Sequence, residues 1–423
     1  MTRRRGRPGR TTEHRPDGAG LTTLALRLAK HLAGAAGGGA NLVFSPLSVY
    51  AALALVAAGA RGDTLRELLD ALGARSLGDL AAFVRRVAER ALADRSRSGG
   101  PAVSFACGVW HDASSTLQPG FRETAAESYK AQARAVDFQH KPREAIGEIN
   151  RWVAAATNKL IDSIVDPSAV RWDTSLVLAN AIYFKGKWET PFAEAATTVD
   201  KFHRLDGSTA DARFMRSGQS QFISVRDGYK VLKLPYQSPV PPQLGRSSRS
   251  RMGADLPQYS MCVFLPDSRD GLPDLVDTIA SSAGFRRDNL PNKRVPVGQL
   301  RLPKFKLSFY RSIRDVLIED MGIKAAFDTD ADLSDMAKCN DPEGMPLFVG
   351  DVRHKAVLEV NEEGTEAAAA TVCTMRCMAA PRPRSPPRTV DFIADHPFAF
   401  FVIEEVSGAI VFVGHVLDPL SSR

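Results

Sequence analysis

The side chains able to do chemistry are unevenly placed along the 423 residues, and their densest group lies near the C-terminus. Cys373-Thr-Met-Arg-Cys-Met378 puts two thiols, two thioethers and a guanidinium within six residues. Cys373 and Cys377 would open a metal site only with Cys or His partners at ligand spacing, and those partners are missing. The five cysteines (Cys107, Cys262, Cys339, Cys373, Cys377) are odd in number and sparse, which suits a reducing compartment. Familiar catalytic constellations are missing too. The chain has no Gly-x-Ser-x-Gly elbow, no His-Glu-x-x-His and no Gly-Lys-Ser/Thr loop. Of its eight histidines, His354 stands in the most strongly patterned stretch, where it reads as a hydrogen-bonded core residue. The expectation is a protein that is not an enzyme and needs no metal or cofactor.

The context of the sulfur-rich tip says what chemistry could be done to it. From His354 the chain opens as a strand, with Ala356, Leu358 and Val360 on one side and the alternation ending at Asn361. Glu362-Glu363-Gly364 reads as a polar, flexible break. After Cys377 and Met378 comes Pro381-Arg-Pro-Arg-Ser-Pro-Pro-Arg388, whose four prolines rule out a regular helix or a central strand. Between break and tip, Ala367 to Ala370 favour a short helix by propensity. Drawn out as a strand, Thr365, Ala367, Ala369 and Thr371 share one face of small residues. The segment is either an exposed bait or a strand within a sheet.

Other elements must position this stretch. Leu21, Leu24, Leu28 and Leu32 define one helical face, ended by Gly37-Gly-Gly39. Leu42-Val-Phe44 is extended and enters a Ser-Pro turn, with Ser45 as helix cap and Pro46 at the first helical position. The helix that follows, Val49 to Ala58, is apolar all round and should be central. Residues 60–100 suggest two or three amphipathic helices, Ser104 to Trp110 a strand, and Ile149 to Thr157 a helix with Trp152 facing the core. Ser175 to Phe192 reads as a long buried strand leading into a turn, in which a buried Asn180 demands a hydrogen-bond partner.

Charge is equally uneven. The net +7 comes from residues 1–20 (+4), 237–258 (+2) and 376–388 (+4), which leaves −3 for the remainder. Positive charge on tails and loops argues against a dedicated nucleic-acid site, although the basic arms keep a nucleic-acid-associated role as an alternative. Met1-Thr-Arg-Arg-Arg-Gly-Arg lacks the apolar run of a secretory signal, and no apolar stretch is long enough to span a bilayer. Arg3-Arg-Arg5 is either a solvated arm or a nuclear-localisation patch. A cytoplasmic protein, with nuclear entry as the variant, is expected.

His354-Lys-Ala-Val and Asn361-Glu-Glu-Gly-Thr-Glu-Ala-Ala-Ala-Ala-Thr371 resemble the proximal hinge of the reactive-centre loop of serpins, in the plant-type version. Asp395-His-Pro-Phe-Ala-Phe-Phe, Gly408-Ala-Ile-Val-Phe-Val-Gly414 and Asp418-Pro419 resemble the closing strand pair of that family. Asn180-Ala-Ile-Tyr-Phe-Lys-Gly-Lys-Trp188, Leu302-Pro-Lys-Phe-Lys-Leu-Ser308 and Met321-Gly-Ile-Lys-Ala-Ala-Phe327 extend the likeness from about residue 21 to 420.

The resemblance implies an α+β serpin fold of three β-sheets and eight or nine helices, with an exposed reactive-centre loop over about 362–390. Residues 21–423 would form one domain and residues 1–20 a disordered basic arm. It assigns Ser45, Ser48, Asn180 and His354 to the shutter beneath the main sheet, and Trp188 to the breach where the loop first enters it. Glu362, Glu363, Gly364, Thr365, Glu366, Ala367, Ala368, Ala369, Ala370 and Thr371 become the hinge. The family's usual spacing from the hinge glycine, counted from Gly364, puts the reactive bond at Met378–Ala379, with Arg376–Cys377 as the alternative and Arg382 or Arg384 behind them. Implied partners are chymotrypsin-, elastase- or trypsin-like proteases, with papain-like cysteine proteases as cross-class targets, met by a monomeric suicide inhibitor. A serpin that has lost inhibition, in a storage, carrier or chaperone role, is the alternative. The growth at 237–258 and the Pro/Arg-rich tail after Ala380 depart from the plant pattern.

Overall fold

The computed structural model describes residues 18–35, 39–171, 173–239, 256–281, 289–340, 347–365 and 388–422. Eight α-helices occur among them, six in the first half of the chain: α1 (Ala19–Ala35), α2 (Pro46–Ala57), α3 (Gly62–Leu72), α4 (Leu77–Ala91), α5 (Pro119–Tyr129) and α6 (Pro142–Ala156). Two further helices span Leu272–Ser281 and Arg314–Glu319. Helix α1 starts at Ala19, inside the segment read from sequence as a tail.

The strands form three large sheets and one small pair. The seven-stranded sheet runs β1 (Leu42–Phe44), β19 (Ala409–Val416), β18 (Phe398–Glu404), β10 (Tyr259–Pro266), β9 (Tyr229–Pro235), β8 (Gln221–Arg226) and β11 (Arg294–Val295). The four-stranded sheet runs β17 (Val390–Ile393), β12 (Val297–Pro303), β7 (Thr209–Ser217) and β6 (Thr198–His203). The six-stranded sheet runs β13 (Phe305–Ser312), β15 (Asp351–Val360), β5 (Leu176–Lys187), β2 (Ala102–Asp112) and β4 (Gln132–Val136), with β16 (Gly364–Thr365) on the far end of β5. The remaining pair is β3 (Ser115–Leu117) with β14 (Ala337–Cys339).

Strand β5 is apolar on both faces because both are covered. Leu176, Leu178, Ile182 and Phe184 join the main core, while Val177, Ala179, Ala181 and Tyr183 join a second cluster under α6 with Trp110, Ile149 and Val153. Trp152 is half-buried there, edge-on to Trp110 at 5.5 Å. Helix α2 is buried along its whole length, as its uninterrupted apolar sequence requires, and packs between β19 on one side and β5 and β2 on the other. Ser45 caps it, its Oγ accepting from the Ser48 amide at 3.2 Å, with Pro46 in the first turn.

The central feature of the six-stranded sheet is a parallel seam. β15 and β5 run parallel, from Asp351 opposite Val177 to Val357 opposite Tyr183, whereas β13–β15 and β5–β2 are antiparallel. The edge pair β2–β4 is parallel as well, and parallel ladders are slightly weaker per residue, so one of the sheet's two weaker joints lies at its middle.

Candidate functional site

Two groups of polar side chains sit along this seam, one at mid-length and one at its end. At mid-length Asn180 is 1% exposed and His354 0%, and they are register partners across the β5–β15 joint. The Ser45 amide donates to His354 Nε2 at 3.0 Å, which fixes that nitrogen as the acceptor. The ring hydrogen therefore sits on Nδ1 and is donated to Asn180 Oδ1 at 2.9 Å. The same oxygen accepts from the Ser48 hydroxyl, and Asn180 Nδ2 donates back to the Ser48 carbonyl at 3.0 Å. The four residues form a clasp that ties β5 to β15 and both to the first turn of α2. Burial pushes His354 down to about 3, so the imidazole stays neutral at physiological pH. Cys107, opposite Asn180 on β2, is raised to about 12 by burial and is an inert thiol.

At the end of the seam the chain leaves β15 and turns back. The Asn361 side chain makes the turn: its Oδ1 accepts from the amides of Glu363 at 3.2 Å and Gly364 at 3.3 Å. Residues 362–364, read from sequence as a flexible break, are thus a pinned turn, because Asn361 supplies the acceptor that a loop would seek from water. Gly364 and Thr365 then pair antiparallel to Lys187 and Gly186 of β5. Only glycine fits at 364, where φ is +153° and a Cβ would lie 2.0 Å from the Gly186 carbonyl oxygen. Gly186 leaves room for Tyr236 in turn, since a Cβ there would stand 2.7 Å from its ring.

Trp188 and Tyr236 line this turn. The rings stack with centroids 4.5 Å apart, and both residues are buried. Trp188 donates its backbone amide to Glu363 O at 2.7 Å and its indole Nε1 to Asn361 O at 2.9 Å. Tyr236 reaches the Thr365 hydroxyl at 2.9 Å. Glu362 accepts from Thr197 at 2.8 Å and pairs with Lys304 at 2.7 Å. Burial pulls the Glu362 carboxyl upward, but the Lys304 ammonium and Thr197 hydroxyl outweigh it and hold it below the usual range.

Sequence reasoning expected Glu362 to Thr365 at the start of an exposed loop. Glu362 is 7% and Thr365 0% exposed, because partners from three distant segments cover them. Those partners, Tyr236, Thr197 and Lys304, were not singled out in the sequence. Tyr236 lies 129 residues from Thr365, and no spacing signal links the two. Residues Glu366, Ala367, Ala368, Ala369, Ala370, Thr371, Arg376, Cys377, Met378 and Ala379 lie outside the described residues, as do Arg382, Arg384, Cys373 and most of 237–258. Among the described residues no group of side chains could hold a metal ion, and no helix is long and apolar enough to cross a membrane.

Comparison with known proteins agrees with this architecture. The family model described as Serpin (serine protease inhibitor) matches residues 19–419. Serpin-Z2A of Oryza sativa subsp. japonica is 54% identical over 96% of this chain and 98% of its own. Serpin-Z2B of the same plant is 51% identical over 95% of this chain and 97% of its own. The structure of Arabidopsis AtSerpin1 in its native stressed conformation has a TM-score of 0.85 and 36% identity, covering 96% of this chain and 99% of that one.

Proposed function

The chain belongs to the serpin family, and from that premise we propose that it is an inhibitor of serine proteases acting as a suicide substrate. A protease attacks the loop between β16 and β17 as if it were substrate, and its nucleophile becomes acylated. The freed hinge then enters the sheet between β15 and β5 before water can release the acyl group, and carries the tethered protease away with stored strain as the driving force.

The observation that carries this reading is β16. Its two residues already lie antiparallel to β5 at the end of the seam, so the chain beyond Thr365 needs only to continue in the same direction. Continuing that register sets Ala367 opposite Phe184, Ala369 opposite Ile182 and Thr371 opposite Asn180, facing α2. Small residues fit that face, where larger side chains would meet the packed core. Entry must break the His354–Asn180 bond, and the Thr371 hydroxyl arrives opposite Asn180 as a replacement partner. On the other face Glu366 comes opposite Lys185, a favourable cross-strand pair. One parallel joint is replaced by two antiparallel ones.

The reactive bond is assigned to Met378–Ala379, which suits chymotrypsin- or elastase-like pockets, with Arg376–Cys377 as the trypsin-directed alternative. Papain-like cysteine proteases form a thioester by the same first step and are included as targets. The protein is placed inside the cell, as a monomer. The experiment incubates it with chymotrypsin, trypsin and papain, followed by denaturing electrophoresis and mass spectrometry of the released C-terminal fragment. A denaturant-stable complex and a fragment starting at Ala379 are expected, and a start at Cys377 would move the bond to Arg376. Complete cleavage without any complex would overturn inhibition and leave the storage, carrier or chaperone role.

A further inference from the structure

At the end of the six-stranded sheet away from β16, an open cavity of about 430 Å³ lies between the β2–β3 connection, the first turn of α5 and β4. His111 lines it from the end of β2 and Ser115 from the start of β3, Arg122 and Glu123 from the helix, and Leu117 and Ala135 form an apolar wall. His111 is 2% exposed, and its environment fixes its hydrogen. Nδ1 approaches the Asp112 carbonyl at 3.0 Å and the Ser115 hydroxyl at 2.8 Å, while that hydroxyl donates to the same carbonyl at 3.0 Å. A carbonyl only accepts, so Nδ1 carries the hydrogen and Nε2 is left as a lone pair. Among the described residues Nε2 has no hydrogen-bond partner, and the ring lines the cavity.

Two further features set the sign of what would bind. The Arg122 side chain makes no ion pair or hydrogen bond among the described residues. It stands in the first turn of α5, whose capping residue Gln118 makes no side-chain cap and instead donates to the Ser334 carbonyl at 3.2 Å. An uncapped helix start beside a free guanidinium attracts an anion. Burial lowers the His111 pKa and the Arg122 charge adds to that, so the lone pair on Nε2 persists at neutral pH.

We propose that this cavity binds a small hydroxylated anion, with its carboxylate or phosphate on Arg122, a hydroxyl donating to His111 Nε2, and its carbon skeleton against Leu117 and Ala135. Glu123 at the rim takes a second hydroxyl and disfavours ligands of higher negative charge. The site lies outside the seam and the hinge, so it stands whether or not the protein inhibits a protease.

Isothermal titration of the full chain with malate, succinate, glucose 6-phosphate and inorganic phosphate tests this. Malate and succinate differ only by a hydroxyl, so they read the His111 contact without altering a buried residue. Malate or glucose 6-phosphate should bind saturably, and whichever is tighter identifies the acid or the phosphate ester as the source. Succinate should bind about fivefold more weakly than malate, the worth of one neutral hydrogen bond. Arg122→Ala, an exposed substitution, should weaken the hydroxylated ligand about tenfold, as for a charge-assisted contact. Equal binding of malate and succinate, binding indifferent to Arg122→Ala, or no saturation by any probe below about 10 mM would overturn the proposal.

Discussion

His354 shows how one residue can set a condition on the entire fold. The ring is buried, neutral and bonded at both nitrogens, so the folded chain refuses a proton that the unfolded chain accepts. Above the ordinary histidine value of 6.5 both states are neutral at this site and stability is flat in pH. Below it, stability falls by about 1.4 kcal/mol per pH unit until the folded-state value near 3 is reached. Burial lowers His111 and His415 in the same direction and steepens the slope. Unfolding midpoints measured between pH 7.5 and 5 should therefore drop, and drop less steeply in His354→Gln. Equal slopes in the two proteins would refute the assignment. The hinge turn makes a second single-residue claim. Gly364→Ala collides with the Gly186 carbonyl and cannot seat β16, so it should raise the amount of inhibitor consumed per protease trapped. Tyr236→Phe removes one bond to Thr365, worth about 1 kcal/mol, and should act in the same direction more weakly. Partition ratios unchanged by both substitutions would mean that seating of β16 does not govern entry.

At the scale of elements, the decisive quantity is what the hinge strand must slide past. Continued in register, Ala369 comes opposite Ile182, against α2 and the main core, where an unpaired charge is not tolerated. Ala369→Arg should leave the loop cleavable and abolish the denaturant-stable complex, turning inhibitor into substrate. Retention of complex by this variant would show that the strand does not enter in the register set by β16. Much of this was legible in the sequence. The all-round apolar run of α2, the alternation of β15 and the apolar run of β5 on either side of Asn180 each have one physical solution, and each is found. Asn180 betrayed itself as a polar residue where a core strand allows none. The end of the seam was less legible. The turn at 362–364 looked flexible because the side chains that pin it, Asn361 apart, come from β9's end, the stretch before β6 and the stretch between β12 and β13. Such contacts are made by tertiary packing and leave no periodicity or local motif to read.

For the whole molecule the question is why a sheet should keep a weak parallel joint at its centre. An inserted residue gains roughly two ladder bonds at about 0.5–1.5 kcal/mol net each, against about 1–2 kcal/mol of backbone entropy. Those terms nearly cancel, so the ladder alone does not make insertion irreversible. The surplus must come from the weak parallel β5–β15 joint, which two antiparallel joints replace, and it must also cover the loss of the clasp of Ser45, Ser48, Asn180 and His354 that holds the two strands together until the hinge enters. On this account the uninserted fold is the strained one, and cutting the loop anywhere beyond the hinge should stabilise the protein even when no protease stays attached. The measurement is the unfolding midpoint of the full chain before and after limited cleavage by a protease that is then removed. A gain of several kcal/mol should raise the midpoint by about 5 °C, since each kcal/mol is worth roughly 1 °C in a chain of this size. Gly364→Ala should blunt the rise, because its cut hinge cannot start the strand. A cleaved protein that melts at the uncut temperature would mean that the seam stays shut, and the inhibitory reading would fall with it.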